Sequence, residues 1–166
     1  MGEKMLVPEK AIQDYYDEET AVCHGCGYNN PSGLHIKTYW DGNEGLCRYT
    51  PQPHHTAFPG YVYGGMIACL IDCHSTGTAT AAAYEAEGRE PGTDPPIRFV
   101  TGTLTVRFLR PTPLGKELLL RARVRDLGQK KVVVDCSLFA GDEACVQGEV
   151  IVIRAPEAMV SGKTET

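Results

Sequence analysis

Hydrophobic and polar positions change their spacing along the chain, and the change separates a helical part from extended parts. Between Gly64 and about Ala86 the sequence contains no proline and is rich in alanine, which favours a helix. From residue 97 onwards, apolar and polar residues alternate with a period of two, which is typical of strands with one buried face. The pattern therefore predicts one long helix followed by four strands, over residues 97–109, 117–126, 131–139 and 144–154.

The part of the chain before the long helix predicts shorter elements. Residues 8–19 are mostly polar and begin with Pro8, which suits the first turn of a helix, so we expect a short polar helix there. Residues 34–40 and 45–50 predict two strands that are joined by a hairpin turn at Asp41-Gly42-Asn43.

The connections between the last four strands decide the predicted fold. Each connection is too short to hold a crossover helix, so we expect these strands to form an antiparallel meander. The long helix is almost uncharged, and such a helix must be covered on most sides by the sheet. A chain of 166 residues is expected to form one domain. We predict an α+β fold in which a curved antiparallel sheet wraps around one central helix, with an N-terminal extension (1–20), the domain itself (21–155) and a flexible tail (156–166).

Charge is distributed unevenly along the chain. The net charge of −5 disfavours a general nucleic-acid-binding role, yet residues 98–131 hold nine Lys and Arg residues against two acidic ones. This local excess indicates either an anionic ligand, such as a phosphate-bearing molecule, or a solvated strand face. No segment has the composition of a membrane span or a secretion signal. We therefore expect a cytoplasmic protein with mostly free thiols and with neither a membrane nor a nucleic acid as partner.

Asp72 is the single formal charge between Arg48 and Glu85. Its neighbours in the predicted helix are apolar, and a carboxylate among them is costly unless it is paired or hydrogen-bonded. One interpretation is a carboxylate in a cleft with a shifted pKa, ready to act as a base or a nucleophile. The other is that Asp72 faces a solvent groove or a basic strand residue such as Arg107.

The start of the long helix is a second candidate for chemistry. Tyr63-Gly64-Gly65 leaves backbone N–H groups accessible at the positive end of the helix, where an oxyanion is stabilised. Gly65 and Asp72 are seven residues apart, which is about 10.5 Å along a helix. If both act on the same bond, they must come from two chains with antiparallel helices, as in a two-fold dimer. Ser75 and Thr76 lie one turn beyond Asp72, where a hydroxyl can position water.

Three motifs together carry a family resemblance. The first is Cys23-His24-Gly25-Cys26-Gly27 followed by Asn30-Pro31-Ser32-Gly33-Leu34. The second runs from His55 to Asp72 (HTAFPGYVYGGMIACLID), and the third from Leu104 to Gly115 (LTVRFLRPTPLG). With these motifs in this order, the chain resembles the hotdog-fold acyl-CoA thioesterases, in the branch similar to the phenylacetate-pathway (PaaI-type) enzymes.

The resemblance implies a hotdog fold, a homodimer or homotetramer with active sites at the dimer interface, and an acyl-CoA substrate. No cofactor is implied, because coenzyme A is part of the substrate. By motif position, the Gly65 N–H polarises the thioester carbonyl, Asp72 of the partner subunit is general base or nucleophile, and Thr76 orients water. Further substrate contacts are expected from Tyr63, Gly64, His55, Ser75, Arg107 and Arg110; the two arginines, with Lys116, are candidates for the phosphates of coenzyme A.

Tyr63 departs from the family pattern, which has a histidine before the two glycines. If that histidine braces the loop, the tyrosine hydroxyl substitutes for it; if it takes part in the chemistry, the activity is changed or lost. Two alternatives therefore stay open: a non-catalytic acyl-CoA-binding or regulatory hotdog protein, and a hotdog hydratase or dehydratase with an Asp/His pair. His74 points away from the Asp72 face of a helix, so we expect it to be packed or interfacial.

Cysteines and aromatic residues complete the list of candidates. Cys23 and Cys26 have the spacing of zinc ligands, but the sequence has no second CxxC or HxxxH pair. We therefore favour a structural knuckle packed on the sheet and predict no metal site. Cys69 and Cys73 are expected to be small core residues. The aromatic residues either line an acyl pocket or pack within loops: Trp40, Phe58, Tyr61 and Tyr63.

Overall fold

The structure is a computed structural model that describes residues 8–161. A single antiparallel sheet is formed by β1 (Tyr39–Trp40), β2 (Gly45–Tyr49), β3 (Phe99–Phe108), β4 (Leu118–Leu127), β5 (Lys131–Ala140) and β6 (Glu143–Arg154). The long helix α1 spans Gly64–Ala86, and the shorter elements are a 3₁₀ turn (Ile12–Tyr15) and α2 (Glu157–Val160). The sheet curves around α1, which confirms the predicted α+β hotdog architecture.

The order of the strands corrects the predicted four-strand meander. The sheet order is β1-β2-β4-β5-β6-β3, so β4, β5 and β6 form a meander while β3 pairs with β6 at the far edge. β3 and β4 are therefore three strand spacings apart, about 14 Å across the sheet. The link over residues 109–117 is too short for a crossover helix but can span this distance as extended chain. The short link between β3 and β4 excludes a crossover helix, but it does not determine which strand pairs with β3.

The core lies between α1 and the concave face of the sheet. The inward side chains of β4, β5 and β6 alternate along each strand and are fully buried, including Leu120, Val134 and Val150. A Cβ atom added to Gly148 on β6 would lie 2.6 Å from Cγ2 of Ile71, so α1 crosses β6 at a point where only glycine fits. This close packing fixes the helix against the sheet at the level of Ile71 and Asp72.

The outer face of the sheet holds much of the positive charge of residues 98–131. Arg121 and Arg123 both pair with the buried carboxylate of Glu44. Arg125 on β4 pairs with Asp135 on β5 and with Glu149 on β6. For these three arginines the solvated strand face is the correct interpretation, because cross-strand acidic partners already balance their charge.

The first part of the chain differs from the predicted elements. Residues 8–19 contain only the short 3₁₀ turn, and the predicted strand over 34–40 is limited to Tyr39–Trp40. Side chains replace the missing strand pairing: the Thr38 N–H donates to Oε1 of Gln13 at 2.8 Å, and both residues are buried. The alternation of residues 34–40 therefore reflected burial beside α1, not membership of the sheet.

His74 is packed, as expected, inside the same buried polar network. Its Nδ1 lies 2.9 Å from Oγ1 of Thr38, and its Nε2 lies 3.1 Å from the carbonyl oxygen of Gly45. Because the carbonyl can only accept, Nε2 carries the proton, and Nδ1 accepts the threonine hydroxyl. Burial lowers the pKa of His74 to about 4.

The two ends of the chain are described only in part. Residues 1–7 of the predicted N-terminal extension and residues 162–166 of the predicted tail lie outside the described residues. At the beginning of that tail, α2 forms a helical turn whose Val160 is buried. No helix in the described range 8–161 combines the length and the apolar character needed to cross a membrane.

Candidate functional site

The first turn of α1 is an open donor site. The N–H of Ile67 bonds to the carbonyl oxygen of Tyr63 at 3.3 Å, whereas the N–H groups of Gly64, Gly65 and Met66 have no acceptor among the described residues. Tyr63 gives no side-chain cap, and no acidic side chain lies in the first turn. The positive end of the helix is therefore available to a carbonyl oxygen or an anion.

An apolar cavity of about 610 Å³ adjoins this helix start. Aromatic and aliphatic side chains line most of it, including Phe58, Tyr61, Ile67 and Phe108. The guanidinium of Arg110 also lines it. Phe108 extends toward the helix, since a Cβ atom on Gly64 would lie 3.3 Å from its Cζ. Trp40 does not belong to this cavity; it lines another one with Tyr84 and donates from Nε1 to Glu85.

Tyr63 partly covers Gly65. A Cβ atom on Gly65 would lie 2.6 Å from Cε2 of the Tyr63 ring, so the ring rests directly on the glycine. The Tyr63 side chain is 43% exposed, and its hydroxyl has no hydrogen-bond partner in the part of the chain that the structure describes. The tyrosine therefore does not brace the loop through its hydroxyl, and it limits the approach to the Gly65 N–H from one side.

His55 braces the loop that leads into α1. The backbone N–H of Gln52 donates to its Nδ1 at 2.9 Å, and its own carbonyl oxygen accepts the N–H of Tyr63 at 3.1 Å. A bridge between Thr56 and Val62 closes the loop further. Burial, together with the neighbouring imidazoles, lowers the pKa of His55, so the ring stays neutral. His55 thus fixes the loop geometry and holds Tyr63 at the helix start.

Asp72 lies half-buried where α1 faces the edge strand β3. The hydroxyl of Thr101 on β3 donates to Oδ1 of Asp72. Burial raises the pKa of Asp72, and the Thr101 hydrogen bond opposes that shift. Neither Arg107 nor any other described cation pairs with the carboxylate. An unpaired carboxylate with a raised pKa is the form that a general base at neutral pH requires.

The two hydroxyl residues after Asp72 have different environments. Thr76 is half-buried and its Oγ1 donates to the carbonyl oxygen of Cys73 at 3.0 Å. Ser75 is fully buried against the sheet, and its Oγ has no hydrogen-bond partner among the described atoms. Because each residue turns the helix by 100°, the +3 position is rotated toward the core and the +4 position stays near the Asp72 side. The expected substrate contact of Ser75 is thus not supported by its position.

The two candidate arginines lie in different places: Arg107 is on β3, and Arg110 is in the link that follows it. Arg110 lines the apolar cavity and pairs with Glu143 at 3.1 Å, with both side chains well exposed. Arg107 precedes Phe108 on β3 and therefore faces the opposite way, on the outer surface with Asp135 and Glu149. Within one chain, the structure brings Arg110 but not Arg107 to the neighbourhood of the helix start.

Three thiols form a cluster that the sequence interpretation missed. The Sγ atoms of Cys23, Cys26 and Cys73 all lie within 4.8 Å of one another. The CxxC loop therefore packs on α1, and Cys73 is a buried core residue, as expected, that also contacts this loop. All seven cysteines lie within the described residues, and each is a free thiol. The signal available in the sequence was the spacing of Cys69 and Cys73, one helical turn apart.

Within one chain, Gly65 and Asp72 cannot both contact the same small chemical group, such as one carbonyl. They are separated along α1 by about two turns, roughly 10.5 Å. β3, which holds Thr101 next to Asp72, pairs with β6 on one side and with no other described strand on its second side. This edge strand also exposes apolar side chains, including Val100 and Phe108. Such an edge is available for pairing with another chain.

Comparison with known families identifies the central part of the chain. Residues 59–147 match the family model described as the thioesterase superfamily. This match covers more than half of the 166 residues and includes the helix start, Asp72, Thr76 and both candidate arginines.

Individual relatives give the same result. A stretch of 104 residues, 63% of this chain, is 30% identical to the acyl-coenzyme A thioesterase THEM4 of Xenopus laevis. The match covers 41% of that protein, so this chain spans about two fifths of the length of its curated relative.

Solved structures share the fold. The crystal structure of a thioesterase superfamily protein from Shewanella loihica is 41% identical, with a TM-score of 0.61 over 73% of this chain and 91% of the other. The PaaI protein of the Escherichia coli phenylacetic acid degradation operon is 18% identical, with a TM-score of 0.61 over 74% and 81%. A Streptococcus mutans protein solved with acetyl-CoA is 17% identical, with a TM-score of 0.57 over 68% and 82%.

Proposed function

The chain belongs to the thioesterase superfamily, and from this membership we propose that it hydrolyses the thioester bond of an acyl-coenzyme A to give a free acid and coenzyme A. The observation that carries the proposal is the pairing, on one helix, of an uncapped first turn at Gly64 and Gly65 with the half-buried carboxylate of Asp72. A thioesterase needs both groups, because it must stabilise an oxyanion and activate a nucleophile.

The proposed reaction begins with the thioester carbonyl oxygen accepting the Gly65 N–H. As water attacks the carbonyl carbon, Asp72 of the partner subunit accepts a proton from it, and negative charge develops on the oxygen at the helix start. The carbon–sulfur bond then breaks, and the departing thiolate of coenzyme A takes up the proton. Alternatively, Asp72 attacks the carbon directly and forms a mixed anhydride that water hydrolyses; the geometry is compatible with both routes. Thr76, on the Asp72 side of α1, is placed to orient the water.

The separation of Gly65 and Asp72 along α1 leads to the second part of the proposal, which is a two-fold dimer. Two antiparallel copies of α1 bring the first turn of each helix toward Asp72 of the partner subunit, and they create two equal sites. The free side of β3 and its exposed apolar residues support this arrangement, because dimerisation through β3 would cover them. A tetramer is compatible with the same dimer.

The acyl group is expected in the apolar cavity beside the helix start, with Phe58, Tyr61 and Phe108 around it. The coenzyme A part is expected near Arg110, whose guanidinium lies at the margin of this cavity. The acetyl-CoA in the Streptococcus mutans structure supports coenzyme A as the carrier, in a protein of the same fold. Arg107 stays a weaker candidate, since its side chain is on the outer face.

A second candidate function is acyl-CoA binding without hydrolysis. The observation in its favour is Tyr63, which replaces the histidine of the family motif and rests on Gly65. A hydratase or dehydratase receives no comparable support, because His74 is held in the core by Thr38 and Gly45 and does not face Asp72.

The test is the release of free thiol from short, long and aromatic acyl-CoAs by the wild type and by Asp72→Asn. We expect the substitution to lower turnover by roughly 100-fold or more, because it removes the proton acceptor. Asp142→Asn, in the exposed turn between β5 and β6, is the matched control and should keep wild-type turnover. Equal rates for Asp72→Asn and wild type contradict the proposed mechanism. Tight binding of acyl-CoA with no release by the wild type favours the binding protein instead.

A further inference from the structure

Four cysteines from two distant segments converge beside Asp72. Cys23 and Cys26 come from the loop after residue 20, and Cys69 and Cys73 come from consecutive turns of α1. Cys26 and Cys73 are buried, Cys69 is partly buried and Cys23 is at the surface. The Sγ atoms of Cys23 and Cys73 are 3.9 Å apart, and those of Cys23, Cys26 and Cys73 lie within a mutual limit of 4.8 Å.

These separations are those of ligands around a tetrahedral metal ion. With Zn–S bonds of about 2.3 Å, tetrahedral geometry places the sulfur atoms about 3.8 Å apart. The distance between Cys23 and Cys73 already agrees with this value. A disulfide would require about 2.05 Å between the two sulfur atoms. The cluster therefore needs little adjustment to surround an ion.

The loop that carries Cys23 and Cys26 is a closed turn. The N–H of Gly27 donates to the Cys23 carbonyl oxygen at 2.8 Å, which closes the turn. The closed turn keeps the two thiols of this loop close to Cys73 on α1.

Gly25 allows the loop to reach the helix thiols. A Cβ atom at this position would lie 2.2 Å from Sγ of Cys73 and 3.2 Å from Sγ of Cys69, so both sulfur atoms face the same point of the loop. Two further hydrogen bonds hold the loop in place: the N–H of Leu34 to His24, at 2.8 Å, and the N–H of Ile36 to Gly25, at 2.9 Å. Cys69 is not one of the three thiols that lie within 4.8 Å of one another, but its Sγ faces the same loop glycine, which makes it the candidate fourth ligand.

We propose that Cys23, Cys26, Cys69 and Cys73 bind one Zn²⁺ ion and that this ion fastens the loop over residues 21–36 to the middle of α1. Zinc suits four soft thiolate ligands in a tetrahedral arrangement. Without a cation, one thiolate in the cluster repels the next. A divalent cation removes this repulsion, and the bound thiols release their protons on metal binding.

The experiment measures metal directly, so it does not depend on the thioesterase activity. The full chain is reduced, stripped of metal and titrated with Zn²⁺, and in parallel with Co²⁺, whose absorption reports tetrahedral thiolate coordination. We expect one ion per chain and thiolate-to-cobalt charge-transfer bands. Cys23→Ala and Cys69→Ala should each weaken Zn²⁺ binding by about 100-fold, because each removes one thiolate ligand. Loss of a residue that only hydrogen-bonds to a ligand already weakens metal binding by up to about 100-fold.

Controls use the core cysteines that lie outside the cluster. Cys47→Ala and Cys145→Ala remove buried thiols on β2 and β6 and should leave the metal content and the cobalt spectrum unchanged. Circular dichroism establishes that each variant is folded. Loss of binding in the controls as well, or a reduced wild type that takes up no metal, overturns the proposal. If Cys69→Ala binds Zn²⁺ as tightly as the wild type does, the assignment of Cys69 as the fourth ligand is wrong. If Cys23 forms a disulfide and the chain takes up no metal, the cluster is a redox pair and the metal site is wrong.

Discussion

Asp72 and His74 are two residues apart on α1, yet they illustrate two different uses of a polar side chain. His74 is fully buried and both of its ring nitrogens are hydrogen-bonded, to Thr38 and to Gly45. Asp72 is half-buried at the sheet edge, with a single hydrogen bond from Thr101 and with no cation among its described neighbours. A polar group whose hydrogen bonds are complete contributes to the fold, whereas one that is incompletely satisfied at a surface is available for chemistry.

The largest expected contrast is in catalysis. Asp72→Asn should lower turnover by roughly 100-fold or more, while His74→Asn should leave the turnover of the folded fraction close to that of wild type. The reason is that Asp72 lies at the proposed site and His74 lies in the core, on the other side of α1. The measurement is steady-state thiol release, normalised to folded protein. A similar loss in both variants would remove the distinction between the two residues.

The free energy of unfolding should show the opposite order, with the larger loss in the His74 variant and not in the Asp72 variant. His74→Leu leaves the Thr38 hydroxyl and the Gly45 carbonyl without their partner, which should cost about 2–3 kcal/mol of unfolding free energy. Asp72→Asn removes a partly buried charge, so its free energy of unfolding should equal or exceed that of wild type. Urea unfolding of both variants, followed by circular dichroism, measures the difference. A destabilised Asp72→Asn would show that the carboxylate has a structural role.

The pH dependence of stability sharpens the comparison further. Burial lowers the pKa of His74 to about 4, below its ordinary value, although the nearby Glu44 carboxylate and the Gly45 carbonyl favour the charged form. Between about pH 6.5 and pH 4 the unfolded chain therefore binds more protons than the folded chain. The contribution of His74 to the free energy of unfolding is fully present above this pH range. It falls as the pH decreases through the range, by on the order of 1 kcal/mol per pH unit.

Urea midpoints of the metal-free, reduced chain at pH 7.5, 6 and 5 measure this slope. His74→Leu should unfold with a smaller dependence on pH over the same range, because it has no imidazole to protonate. An unchanged slope in the variant would assign the pH dependence to other groups.

The smallest expected effects concern Arg110, which lines the cavity, and Arg107, which lies on the outer face of the sheet. Arg110→Ala should raise KM for acyl-CoA by several-fold with little change in kcat, as expected for loss of an exposed phosphate contact. Arg107→Ala, on the outer face, is the matched control and should leave both constants near their wild-type values. The reverse result would place coenzyme A on the outer surface.

The sequence predicted those features that depend on local pattern. The period of two located β3 to β6 within about two residues, and the unbroken alanine-rich stretch predicted α1 to within a residue at both ends. The position of Asp72, as the one charge in an apolar helix, is enough to single it out. In each case one segment holds the information, because the helix or strand period alone determines which face is buried.

The features that were missed depend on contacts between distant segments. Alternation does not select β6 as the partner of β3, and it does not indicate the register shift between Thr101 and Thr103. Thr38 and Gln13 satisfy their backbone and side-chain groups with each other, which no local pattern indicates. The thiol cluster joins Cys23 to Cys73, fifty residues apart, and their meeting depends on the path of the loop over α1.

The loop between His55 and Tyr63 has a consequence for how this protein can diversify. Backbone hydrogen bonds hold it from His55 to Tyr63, between Thr56 and Val62, and to residues 112–114 of the link after β3, so none of these bonds depends on the side chain at its tip. Phe58, at that tip, is 78% exposed and contributes almost nothing to the core. If the acyl group lies in the cavity that Phe58 lines, as proposed, substitutions at Phe58 exchange one acyl preference for another while the helix start stays in place. The loop then separates the side chain that contacts the acyl group from the backbone that holds the helix start.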